Sequence, residues 1–251
     1  MKEQINKVIE YLKTLDINGC ITGSCLLPEL FEGSDVDVFV YDKKSLDRLI
    51  YALIYNNNFQ ILDPIEQWKF KKYSTTEEKF QKFGVFSLKF LYNTCVTVNI
   101  VFKEKANNIF SVLSSFDIDV ICKGFDIKSK QYLDLTNNST ETKIVSWNKW
   151  NTKFQTDEVW NIERILRQFE RVIKYYKRGY NTDNVALKYI ELVNFIEEYE
   201  SIFNSENFEE RLKEIKIRCS LLKQIIIKWL DIHEITEVEL ELIKKLSKEI
   251  N

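Results

Sequence analysis

Residues 23–41 read GSCLLPELFEGSDVDVFVY, and the last six of them, Val36–Tyr41, decide what the rest of the N-terminal half must be. β-Branched and aromatic residues dominate that run after a polar start, so it reads as a strand. Side chains alternate across a strand, which sends Val36, Val38 and Val40 into a core and projects Asp35 and Asp37 together from the other face. Two carboxylates that close repel, and a hard divalent cation such as Mg²⁺ (or Mn²⁺) relieves them. Such an ion bridges triphosphate oxygens and stabilises charge in an in-line phosphoryl displacement. Gly23-Ser24, with the serine eleven residues before Asp35, adds a tight turn, backbone N–H donors and a hydroxyl, read as a helix N-terminus where phosphate binds readily. A lone Asp-x-Asp is ordinarily an exposed strand start. Gly-Ser at this spacing, followed by Ser34-Asp35-hydrophobic-Asp37-hydrophobic, is a more specific pattern.

Working outward, Ile5, Val8, Ile9, Leu12 and Leu15 recur at helical spacing and predict a helix over 1–15. Gly19–Thr22 is a brief strand running into the Gly-Ser turn. Ser45 caps an expected helix over 45–56, and further strands are expected at 59–62, 85–92, 96–102 and 119–125, with a helix over 106–113. Strands and helices in this order make an α+β fold with a mixed sheet, not a βαβ repeat. From about residue 156 the strand signal ends. Helices are expected near 156–178, 184–202, 206–231 and 237–250, the last opened by the capping-box pair Thr236 and Glu239. The polar stretch 136–142 and the following Trp147 and Trp150 mark the passage, so residues 1–150 are read as a catalytic domain and 151–251 as a helical one, with the active site in the cleft between.

Composition removes several classes of function. A formal net charge of −2 excludes bulk electrostatic coating of nucleic acid, though a local basic stripe can still hold phosphates. The five cysteines are odd in number, spread out and without a CxxC pair, which fits reduced thiols in the cytoplasm rather than a disulfide frame or a zinc site. One histidine, His233, supports no His-rich metal site. The opening helix is amphipathic and charged rather than a signal peptide, and no apolar run approaches the ~20 residues of a membrane span.

The segment Gly23–Tyr41 resembles the signature of the DNA polymerase β-like nucleotidyltransferase superfamily in order, spacing and residue type. That resemblance implies a small mixed-sheet catalytic core. It also implies transfer of a nucleoside monophosphate from an NTP, with ATP among the candidates, to an acceptor hydroxyl, Gly23 and Ser24 holding the β- and γ-phosphates and Asp35 and Asp37 the metal. Members of the superfamily usually add a third carboxylate from a later strand. The strand in that place, Val96–Phe102, carries Asn99, an amide that coordinates Mg²⁺ weakly and takes no proton. Three readings stay open: Asp35, Asp37 or solvent deprotonates the acceptor, a carboxylate such as Asp117 or Asp119 fills in, or the protein binds nucleotide without transferring it. The stretch FDIDVICKGFDIKSKQYLDLT (116–136) is similar to a segment of tRNA CCA-adding enzymes and poly(A) polymerases beside the nucleotide pocket. On that similarity Asp117 is a candidate catalytic residue, and an RNA 3′ end, tRNA included, is the expected acceptor. Nucleotidylation of a protein or small molecule, synthesis of an oligonucleotide messenger, and a non-catalytic nucleotide- or RNA-binding module are the alternatives.

Arg164, Arg167, Arg171, Lys174 and Arg178 recur at spacings of 3, 4, 3 and 4. At 100° per residue they share roughly a quarter of a helix's circumference. Such a stripe is often no more than a solvated face. Five like charges repel unless an anion is near, however, and a triphosphate or an RNA backbone supplies one. Lys174–Tyr180 (KYYKRGY) also resembles a segment that follows related cores. Trp147, Trp150 and Trp160 are the aromatic residues expected to stack on a base, while the bulk of the 17 Phe and 12 Tyr fill cores.

Overall fold

The computed structural model describes residues 2–31, 33–62, 85–103, 105–151, 162–200 and 209–246. The chain divides into two compact units, Met1–Thr140 and Glu141–Asn251. The fold class is α+β, as the order of strand and helix signals indicates.

In the first unit, α1 (Lys2–Thr14) forms because Ile5, Val8, Ile9 and Leu12 stack on one face, and all four are buried. The strands are β1 (Gly19–Thr22), β2 (Val36–Val40), β3 (Phe59–Ile61), β4 (Val85–Tyr92), β5 (Val96–Lys103), β6 (Lys123–Asp126) and β7 (Gln131–Asp134), with α2 (Lys43–Ile54) and α3 (Ile109–Leu113) among them, and α4 (Ser139–Thr142) runs across the boundary of the two units. Among the described residues they make one seven-stranded sheet in the order β3-β4-β5-β2-β1-β6-β7. Only the central β2–β5 pair is parallel, and every other pair is antiparallel. The sheet is therefore mixed.

Register explains how the two faces differ. Ile21, Val38, Ile100 and Phe125 lie on one face, join residues of α1 and α2, and build the larger core. On the opposite face Cys20, Phe39 and Val101 form a smaller cluster with Val112 of α3 and with Ala106. Farther along that second face the apolar cluster stops and polar side chains begin.

Four local expectations are corrected. The cap of α2 is Asp42, whose carboxylate accepts from the Ser45 N–H at 2.7 Å, so Ser45 sits in the first turn and not at the cap. A strand over 119–125 is replaced by a one-turn 3-10 helix at Asp119–Ile121 and then β6, because Asp119 and Val120 turn inward together instead of alternating. The segment after Gly23 is likewise one 3-10 turn, Ser24–Leu26, too short to act as a helix N-terminus. The helix expected over 106–113 begins at Ile109, because Asn108 and Ser111 cap each other reciprocally.

The second unit contains α5 (Ile162–Tyr176), α6 (Asp183–Glu200), α7 (Glu209–Ile232) and α8 (Glu237–Leu246). Its centre is aromatic. Phe169 of α5 meets Tyr189 of α6 edge-on at 6.2 Å and Trp229 of α7 at 6.1 Å, an arrangement aromatic quadrupoles favour. The capping box of α8 is present, with Thr236 N–H donating to Glu239 at 2.8 Å and Glu239 N–H to the Thr236 hydroxyl at 3.2 Å.

Candidate active site

The strand registers assemble one row across the second face of the sheet. Thr22 pairs with Asp37, Asp37 with Asn99, and Asn99 with Lys89, so these four side chains leave the same face from four adjacent strands. Asp35 lies one residue before β2 and reaches the same place. The Asn99 Nδ2 group donates to Asp35 Oδ2 at 2.7 Å and to Asp37 Oδ1 at 2.8 Å. Both acids are half-exposed, whereas Asn99 is buried at 8% exposure. The two carboxylates thus converge and stay open to water on their outer side, while Val36, Val38 and Val40 are fully buried on the other face of the sheet.

Gly23 closes the row from the turn side. Its φ of 89° lies in a region that glycine adopts readily. A Cβ built there would stand 3.0 Å from Asp37 Oδ2, so the absence of a side chain lets the turn approach the acid. Ser24 is buried, and Leu26 N–H and Leu27 N–H donate back to Gly23 and Ser24 carbonyls. Cys25 donates its thiol to the Thr22 carbonyl at 3.3 Å. Burial pushes that thiol's pKa up, and the negative charges of Asp37 and Asp35 push it further, which leaves it inert beside the acids.

Two carboxylates and an amide are hard oxygen-donor chemistry, suited to Mg²⁺ or Mn²⁺ with waters and phosphate oxygens completing the shell. The Asn99 Oδ1 atom strengthens the fit, because it is buried with no hydrogen-bond partner beside the two acids. Thr22 Oγ1, next to Asp37 in the row, is also buried without one. Among the described residues no group of three His, Cys, Asp or Glu side chains gathers as a metal cage.

The remaining candidates separate. Asp117 occupies a bend before the 3-10 turn and is 1% exposed, with Asp119 at 4%; carboxylates so enclosed present no surface to a substrate hydroxyl. In α5, Lys174 is exposed and Arg171 half-exposed, and in the turn after it the Arg178 guanidinium lies over the Tyr175 ring at 5.2 Å. The Arg164 and Arg167 side chains and Trp160 fall outside the described residues. Trp147 packs edge-on against Tyr189 at 5.7 Å inside its own unit, and Trp150 is 43% exposed with Lys149 over its ring at 5.4 Å.

Lys89, half-buried at the end of the row, is the residue that sequence reading missed. A signal for it existed. Asn93 and Thr94, both at positive φ, form the hairpin loop that pairs Tyr92 with Val96 and thereby Lys89 with Asn99.

No protein-family model matches the chain, and no curated protein matches it. Among solved structures it is similar to a CCA-adding enzyme in complex with CTP, at 14% identity and a TM-score of 0.43, covering 98% of this chain and 48% of that one. It is also similar to the Thermotoga maritima CCA-adding enzyme complexed with tRNA, at 14% identity and a TM-score of 0.45, covering 84% of this chain and 51% of that one. The chain spans about half the length of the structures it matches. No helix among the described residues is long and apolar enough to cross a membrane.

Proposed function

We propose that this protein is a metal-dependent nucleotidyltransferase that moves a nucleoside monophosphate from an NTP to an acceptor hydroxyl, the oxygen bonding to the α-phosphorus as the α–β phosphoanhydride bond breaks and pyrophosphate leaves. The observation that carries the reading is the convergence of Asp35 and Asp37 on one amide group, 2.7 and 2.8 Å away, beside a glycine turn that approaches Asp37. A divalent cation bound by the two acids would supply charge stabilisation to the reacting phosphate. The chain itself does the rest. Asp35 and Asp37 would hold that ion, and Gly23 and Ser24 admit the polyphosphate close to the backbone. Lys89 adds positive charge on the same face. Asp35, Asp37 or solvent takes the acceptor proton, since Asp117 is enclosed.

An RNA 3′ end is the proposed acceptor, supported by the similarity of residues 116–136 to CCA-adding and poly(A) enzymes. Arg171 and Lys174 of α5 are proposed to contact RNA phosphates. A second reading, nucleotide binding without transfer, is favoured by Asn99 standing where a third acid would serve. One experiment separates them. The protein is incubated with each α-labelled NTP, Mg²⁺ or Mn²⁺, and pooled RNA, with Asp35→Ala plus Asp37→Ala as the control. Label transferred to RNA, and lost in the control, is the expected result. Metal-dependent nucleotide binding without turnover supports the second reading, and activity unchanged in the control rejects the site.

A further inference from the structure

An amide has only two N–H protons to give, and Asn99 places each on a different carboxylate, Asp35 Oδ2 at 2.7 Å and Asp37 Oδ1 at 2.8 Å. The same arrangement leaves Asn99 Oδ1 buried and without a partner. A buried acceptor that makes no bond is unfavourable and requires a reason. In this orientation the reason is electrostatic: Oδ1 turned toward Asp35 and Asp37 would meet two further negative oxygens. With a cation between the acids the preference reverses, because Nδ2 then points positive hydrogens at a positive ion while Oδ1 is a competent ligand.

We infer that Asn99 is a reversible stand-in for the metal: its amide bridges Asp35 and Asp37 when the site is empty and inverts about the Cβ–Cγ bond when a divalent cation enters, so that Oδ1 becomes the third, neutral ligand. This inference rests on the metal site proposed above. Inversion exchanges two atoms of equal size and needs no movement of β5, whose neighbours Val98 and Ile100 are fully buried in the larger core. A neutral third ligand also sets the charge. Asp35 and Asp37 balance one divalent ion by themselves, whereas a third carboxylate would leave the set one negative charge in excess and attract a cation more strongly. The consequence is a site that takes up free metal weakly and closes on its own donor when metal leaves.

The test uses the full chain without nucleotide. Side-chain amide resonances are followed by ¹⁵N NMR during a Mg²⁺ titration, with the Asn99 signal assigned by its loss in Asn99→Asp. Mn²⁺ affinity is measured in parallel by calorimetry on the parent, Asn99→Ala, Asn99→Asp and Asp37→Asn. The Asn99 NH₂ pair is expected to shift on saturation as both its acceptors are withdrawn. Affinity should fall about 10-fold in Asn99→Ala, rise in Asn99→Asp, and vanish in Asp37→Asn. If the parent binds metal through Asp37 but the Asn99 pair stays put, or Asn99→Ala binds as tightly as the parent, the inversion is refuted and the metal site stands. If the parent binds no metal, both fall together.

Discussion

Replacing Gly23 with Ala tests the tie between the turn and the acids at a single carbon. The φ of 89° with ψ of −159° is a conformation almost confined to glycine, and an L-residue held there costs about 1–3 kcal/mol. The new Cβ would stand 3.0 Å from Asp37 Oδ2, so the carboxylate must shift by a few tenths of an ångström. The other oxygen of that group accepts from Asn99 at 2.8 Å, a bond of the charge-assisted kind worth roughly 1.5–3 kcal/mol. That bond is exchanged for the cation on binding, so the loss that counts is the displaced carboxylate's, about 1 kcal/mol or roughly a fivefold weaker hold on a cation. Gly179→Ala is the matched control. Its φ is 81°, and a Cβ there meets nothing within 4 Å, so strain of about 1–2 kcal/mol is its whole effect. Urea denaturation and Mn²⁺ calorimetry on both variants read the two effects separately. Both should lose stability, and only Gly23→Ala should lose Mn²⁺ affinity. Equal Mn²⁺ affinity in Gly23→Ala and the parent would refute the coupling of turn and acid.

Three further outcomes are expected. Asp42→Ala should cost about 1 kcal/mol or more through the lost cap of α2. Burial raises the Asp42 pKa, but bonds from Asn18 and Ser45 outweigh it and hold the carboxyl below its ordinary 3.8. Its stabilisation is therefore full above that value and lost as pH falls through the lowered one, so parent and Asp42→Ala denaturation midpoints should converge in acid. Glu239, hydrogen-bonded to Lys228 at 2.6 Å and to Thr236, titrates at about 2 instead of 4.5. The capping box of α8 should then persist down to pH 4.5 and fail between there and about 2, seen as helix loss by circular dichroism; Thr236→Ala should weaken it at every pH. Among five cysteines only Cys95 is exposed, and burial pushes the Cys20 thiol up to about 12. One thiol per chain should react quickly with a disulfide reagent under native conditions, and two or more would contradict the burial pattern.

The strands around the acids were readable because their signals are local. Val36–Val40 alternates, Val96–Lys103 is β-branched, and Gly19–Thr22 stops at a glycine turn. The misread elements share a cause. Asp119 and Val120 look like a strand start, but both are buried in a 3-10 turn. Ser45 looks like a cap until Asp42, three residues earlier, takes its N–H. β7 passed unnoticed because its four residues, three of them exposed, carry little apolar pattern.

Alternation along β2 was enough to place Asp35 and Asp37 on one face and three valines on the other, since that follows from backbone geometry within a few residues. The expectation of a third acid where Asn99 stands came instead from the resemblance of residues 23–41 to the nucleotidyltransferase signature. Pairing between distant segments decided the rest: that Asn99 lies beside Asp37 and donates to both acids, that Lys89 joins their row, and that Asp117 is enclosed. Register between strands whose paired residues are 62 apart in sequence depends on which apolar face the whole sheet buries and on the hairpin that aligns β4 with β5. No window of sequence contains that sum.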